Sequence, residues 1–246
     1  MCNIKEKELR ALENIEEAVL KKIFKTKFSC PWHLLYLEAG IIPARYQIHR
    51  QILVFLQYIL QQPKDSLMHK VFEAEKRNPT KGDWVSSVTT LMNRYKIEFT
   101  FLQIEEMKSS IFKTLVKNKV TEVALFDLVQ RQKSKTKGKY IEYTNFGMAN
   151  YLHPEAELST EEKVQIFSLR TEMNEIPNNF GFKQVCEFGC SNSLLDNEHI
   201  LNCSKIAVKL NNFNDILNGS LKKKIEILRI YQENEEKRRK SLQDSV

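Results

Sequence analysis

ARYQIHRQILVFLQYILQQ, residues 44 to 62, decides the fold class. Tyr46, Ile48, Ile52, Leu53, Leu56, Ile59 and Leu60 recur at three- and four-residue steps, which gathers them on one broad face of a helix. An apolar face that wide needs cover on more than one side, so the segment is expected to be a central helix with others around it. Pro43 and Pro63 bracket it, and proline suits the start of a helix but blocks its continuation.

Outward from this segment the six prolines, at 31, 43, 63, 79, 154 and 177, all fall between periodic stretches. Upstream, about Glu6 to Phe24 carries Leu9, Leu12, Ile15, Val19, Leu20 and Ile23, which predicts an amphipathic helix with these six forming its buried stripe. A short helix on Trp32, Leu34, Leu35 and Leu37 follows Pro31 and closes at Gly40. Downstream, Asp65-Ser66 starts a helix through Arg77, and Asp83 starts one through about Tyr95. Thr100 with Gln103 is a capping box that opens a long periodic segment through Leu115, Val116, Val120, Val123 and Leu128 to about Gln130, read as one helix or as two broken near Asn118. Ser159 with Glu162 is a second box, opening a helix through Met173. A helix to about Leu217, a break at Gly219 and a terminal helix from Leu221 complete the chain, and the closing QENEEKRRKSLQDSV lacks an apolar stripe.

With seven glycines in 246 residues and polar stretches rich in Glu, Lys, Gln and Leu, composition agrees with an all-α fold. The expected layout is a helical body over residues 1–152, a helix plus a small cysteine-rich lobe over 153–218, and a charged, partly frayed helix over 219–246. No apolar run is long enough to span a membrane, and the opening MCNIKEKELRALENIEE lacks the apolar core of a secretory signal. The expected location is intracellular, nucleus and/or cytoplasm. An excess of 38 basic over 31 acidic residues, net +7, suits a polyanionic partner without demanding one.

CEFGCSNSLLDNEHILNC, residues 186 to 203, concentrates three of the five cysteines and a histidine. Cys186, Cys190, His199 and Cys203 follow the pattern C-x3-C-x8-H-x3-C, the donor types of a tetrahedral zinc site. His199 and Cys203 are four apart, so on a helix starting near Asp196 they share a face, and Gly189 could supply the tight reversal between Cys186 and Cys190. Four such ligands close the shell and leave no open position, which makes the expected Zn2+ structural. The competing reading is three buried small residues and a histidine that are merely neighbours, and Cys2 and Cys30, each alone, take that reading.

Arg131, Lys133, Lys135, Lys137 and Lys139 occupy alternate positions in RQKSKTKGKY, with Tyr140 and Tyr143 behind them. Spaced cations can follow a phosphate backbone and tyrosines can stack a base, so this segment is expected to be an exposed loop that contacts RNA or DNA. A solvated loop kept polar for solubility is the alternative. His33, His49, His69 and His153 read as packing or surface residues, and Trp32 and Trp84 as core. No phosphate-binding glycine loop, nucleophile elbow or paired-aspartate metal site occurs, so no catalysis is expected.

LRALENIEEAVLKKIF, LYLEAGIIPARYQIHRQILVFLQYILQQPKDSLMHKVF, the helix before KGKYIEY, EEKVQIFSLRTEMNEI and the Cys-Cys-His-Cys cluster, in that order, resemble the region downstream of the polymerase palm in non-LTR (LINE-like) retrotransposon reverse transcriptases. The resemblance covers roughly residues 8 to 205, and LYLEAGIIPARY with the cysteine cluster is its most specific part. It implies a helical thumb and linker followed by a zinc knuckle, with Cys186, Cys190, His199 and Cys203 as the ligands. It also implies a grip on RNA and target DNA during target-primed reverse transcription, with another retroelement protein as a further partner. The chain departs from that family in lacking the palm aspartates, without which two-metal nucleotidyl transfer has no ion site. It therefore reads as a non-catalytic C-terminal remnant. The alternatives are a zinc-stabilised protein-interaction scaffold and the tail of a full-length RNA-directed DNA polymerase.

Overall fold

Local signals set most helix ends in the computed structural model, which describes residues 5–26, 30–80, 82–134, 141–144, 146–171, 186, 190, 199, 203, 216 and 218–243. Among them are α1 (Glu6–Ile23), α2 (Trp32–Ala39), α3 (Ala44–Leu60), α4 (Leu67–Arg77), α5 (Trp84–Arg94), α6 (Phe101–Glu106), α7 (Ser109–Lys133), α8 (Thr160–Thr171) and α9 (Leu221–Gln243), with 3-10 turns at Asn150–Leu152 and Pro154–Ala156. No strand occurs among the described residues, as expected of an all-α chain. The helix foreseen between Cys203 and Leu217 lies outside them.

Each expected cap is formed. Ser66 Oγ accepts from the His69 N–H at the start of α4, and Asp83 accepts from the Ser86 N–H at the start of α5. Thr100 and Gln103 bond reciprocally, as do Ser159 and Glu162, so each box satisfies two backbone donors that a helix start leaves unpaired. Gly40 ends α2 at φ 65° with its N–H on the Tyr36 carbonyl, a left-handed conformation that glycine adopts without a Cβ penalty.

The chain divides into two compact units, residues 1–19 with 42–128 and residues 20–41 with 129–246, a partition that cuts across the sequential layout at 152 and 218. In the first unit α3 packs against α4, α5 and α6, with Leu53, Leu56 and Ile59 fully enclosed. Phe72 meets Trp84 and Phe101 edge-on. On α7, Phe112, Val116, Val120, Ala124 and Leu128 are buried at every fourth position, and Asn118 lies inside the helix, so of the two readings the one with a break there is excluded. The break falls instead at Met107–Lys108. There the Gln57 side-chain amide donates to the Ile104 and Met107 carbonyls at 3.0 and 2.9 Å, ending α6 with its last acceptors satisfied.

α1 corrects a second expectation. Leu9 and Leu20 are buried, but Leu12, Ile15, Val19 and Ile23 are 43, 63, 52 and 60% exposed, while Glu13 and Glu17 are enclosed. The helix is turned by its acids. Glu13 Oε1 accepts from Arg45 Nε at 2.8 Å, Glu6 from Arg45 Nη2 at 2.6 Å, and Glu16 from the Ala44 N–H at 2.8 Å. Pro43, before α3, offers no side-chain cap, and Glu16 supplies that oxygen from another helix.

In the second unit α9 packs on α8 and on the 150–152 turn, and Phe24 stacks on Phe167 at 4.3 Å between centroids. α2 is almost wholly buried. Glu38, fully enclosed in it, accepts from Arg170 Nη2 at 2.8 Å, from the Tyr151 hydroxyl at 2.6 Å and from the Tyr143 hydroxyl. Arg170 also donates to the Ile216 carbonyl at 2.9 Å. Burial alone would raise the Glu38 carboxyl, but the Arg170 charge and these hydrogen bonds hold it below the ordinary carboxylate range.

Candidate metal centre

Cys186, Cys190, His199 and Cys203 each bring one ligand atom, and these four atoms lie within 4.8 Å of one another. Cys203 Sγ is 3.9 Å from Cys186 Sγ and 3.5 Å from Cys190 Sγ. Sulfurs on a tetrahedral zinc ion, with bonds of about 2.3 Å, stand roughly 3.8 Å apart, whereas a disulfide would bring them to about 2.0 Å. None of the three cysteines is in a disulfide, and the spacing suits a shared ion. Cys186 and Cys203 are 4 and 3% exposed, and Cys190 and His199 are partly accessible. This Cys3His cluster could hold a metal ion.

The expected local route, a helical turn between His199 and Cys203 and a reversal at Gly189, runs through residues outside the described ones. His199 has helical backbone conformation and Cys203 does not. Gly189 lies outside the described residues.

The basic segment is reached from α7. Arg131 and Lys133 occupy its last turn, which corrects the expectation that residues 131–140 form one loop. The helix persists because the buried Gln132 amide donates to the Ile141 carbonyl at 2.8 Å, anchoring the chain that returns. Arg131 is exposed, its guanidinium 5.3 Å from the Trp32 ring centroid, a distance at which a cation is held over an aromatic face. Lys135, Lys137, Lys139 and Tyr140 lie outside the described residues. Tyr143 is half-buried with its hydroxyl on Glu38, so that end of the ring is committed to the core of its unit.

His33, His49 and His69 are buried and His153 is exposed, consistent with packing and surface roles, and Trp84 is in the core. The sequence reading missed the Glu38–Arg170–Tyr143–Tyr151 cluster. Its one local trace is an acid inside the apolar run LYLEAG, since a carboxylate at such a position needs a buried cation. Lys224, 5% exposed, donates to Asn150 Oδ1 at 3.1 Å, and burial with the nearby Arg170 charge lowers its ammonium to about 8. No helix among the described residues is long and apolar enough to cross a membrane. No family model, curated protein or solved structure matches the chain, so the geometry itself guides the functional reading.

Proposed function

We propose that this chain is a non-catalytic nucleic-acid-binding module in which structural Zn2+ on Cys186, Cys190, His199 and Cys203 orders a small knuckle. The ion would supply cross-linking and folding energy only, since four protein ligands complete its shell. The observation that carries the reading is that the metal-competent cluster belongs to the same compact unit, residues 20–41 with 129–246, as the exposed Arg131 and Lys133 at the end of α7. A rigid knuckle and a cationic segment on the same body would grip RNA or DNA through phosphates. The likeness to the thumb, linker and knuckle of non-LTR reverse transcriptases supports the same assignment, as a remnant or a part of a longer polymerase.

If Arg131, Lys133, Lys135, Lys137 and Lys139 all contact phosphate, log affinity falls against log salt with a slope of about −3.5 on single strands or −4.5 on duplex. Replacing the five by serine is expected to abolish binding while the helical circular dichroism stays. A slope near zero, or full binding by the serine variant, overturns the proposal. The scaffold reading has one observation in its favour, the exposed apolar residues Leu12, Ile15 and Val19 on the first-unit part of α1, which offer a surface to a protein partner.

A further inference from the structure

In the first unit a cleft of about 500 Å³ opens where the end of α3, α4 and α6 meet, within the size range of small-molecule sites. Its walls fall into three chemical kinds. Lys64, Lys70 and Arg77 bring positive charge, and none of the three has an ion-pair partner among the described residues, whereas Lys76 beside them is taken up by Glu73 at 3.1 Å and by the Phe101 ring at 5.8 Å. Phe101 and Leu102, the latter 62% exposed, form an apolar wall. Glu105 contributes a carboxylate whose backbone carbonyl is already held by Gln61.

The second observation concerns a histidine in the cleft lining. His69 lines it and is 7% exposed, yet its Nδ1 is enclosed with no hydrogen-bonding partner among the described residues. Its backbone N–H is spent on the Ser66 cap. Buried polar side chains are rarely left unpaired, and an unpaired one lining a cleft has its hydrogen-bonding capacity available to a ligand. A phenylalanine would fill the same space at no polar cost, so stability does not account for the imidazole.

We propose that this cleft binds a nucleoside phosphate. The phosphate lies among Lys64, Lys70, Arg77 and His69, the flat base rests on Phe101 and Leu102, and the Glu105 carboxylate accepts from a sugar hydroxyl or an exocyclic amine. The same chemistry is offered by a free mononucleotide and by the phosphorylated 5′ end of a strand. The site does not depend on the cysteine cluster or on the 131–140 segment.

Calorimetric titration of the full chain with adenosine 5′-monophosphate tests it. Saturable binding below about 1 mM is expected, with adenosine and inorganic phosphate each at least about tenfold weaker. K64S/K70S/R77S and, separately, L102S should each weaken it about tenfold or more. H69F should weaken it similarly while melting no lower than the parent, which separates a ligand-holding imidazole from a structural one. R131S/K133S should leave it unchanged, so loss of nucleic-acid binding in that variant and loss of nucleotide binding in the others fail independently. A 5′-phosphorylated oligonucleotide that binds more tightly than the mononucleotide, with its 5′-hydroxyl counterpart weak, assigns the site to strand ends, and the reverse order assigns it to free nucleotide. Absence of saturation, or binding indifferent to L102S and to the triple variant, overturns the proposal.

Discussion

At the scale of single residues, two buried groups are tuned by their surroundings. Glu38 and Arg170 are 0 and 4% exposed, and each satisfies the other with two tyrosine hydroxyls and a carbonyl in support. Removing one partner strands a charge, so Glu38→Gln is expected to cost about 3–5 kcal/mol in urea unfolding. The paired replacement Glu38→Leu with Arg170→Met should cost much less, because neither charge is then left behind. His49 behaves differently. Its Nδ1 meets the Tyr95 hydroxyl at 2.6 Å, and burial, with the Arg94 and Arg45 charges, lowers the imidazole to about 4. The unfolded chain therefore binds the proton first, and folding is weakened as pH falls from about 6.5 toward 4. Between pH 7 and pH 5 the parent should lose about 1–2 kcal/mol more than His49→Gln, read from urea midpoints at the two values. Equal losses would show that this imidazole does not set the acid limit.

At the scale of elements, the legible features were those written within four residues of one another. Ser66, Asp83, the Thr100–Gln103 pair and the Ser159–Glu162 pair announce helix starts because a side chain and the backbone it caps are neighbours in sequence. Gly40 was legible as a stop, but its second duty was not. A Cβ there would lie 2.2 Å from the Met148 nitrogen and 2.3 Å from the Gly147 carbonyl carbon, while Ala149 donates to the Glu38 carbonyl at 2.8 Å. Gly40→Ala combines left-handed strain with a backbone clash and is expected to destabilise by about 2 kcal/mol or more, visible as a lowered thermal midpoint. The face buried by α1 was not legible, since Leu12, Ile15, Val19 and Ile23 are as periodic as the positions enclosed. Arg45, 32 residues from Glu13, selects the acidic face, and periodicity carries no record of so distant a partner. The end of α6 was hidden for the same reason, being set by Gln57 from α3.

At the scale of the whole molecule, the two units interleave in sequence, with boundaries inside α1 and α7, and no composition shift marks a division of that kind. The four candidate ligands were legible because their types cluster within 18 residues. Chelation should act unevenly. Amides of α8 and α9 are expected to lose hydrogen-exchange protection when metal is withdrawn, while those of α3 and α5 keep theirs. Uniform loss, or none, would detach the cluster from the stability of its unit. The cluster also fixes how the chain responds to oxidants. Cys203 stands within 3.9 Å of two other sulfurs, so a peroxide that converts its thiolate to a sulfenic acid finds a resolving partner on either side. Either bond consumes two of the three thiols and leaves the third single, ready to couple one chain to another, so oxidation that expels the ion would also seed covalent dimers visible on a non-reducing gel.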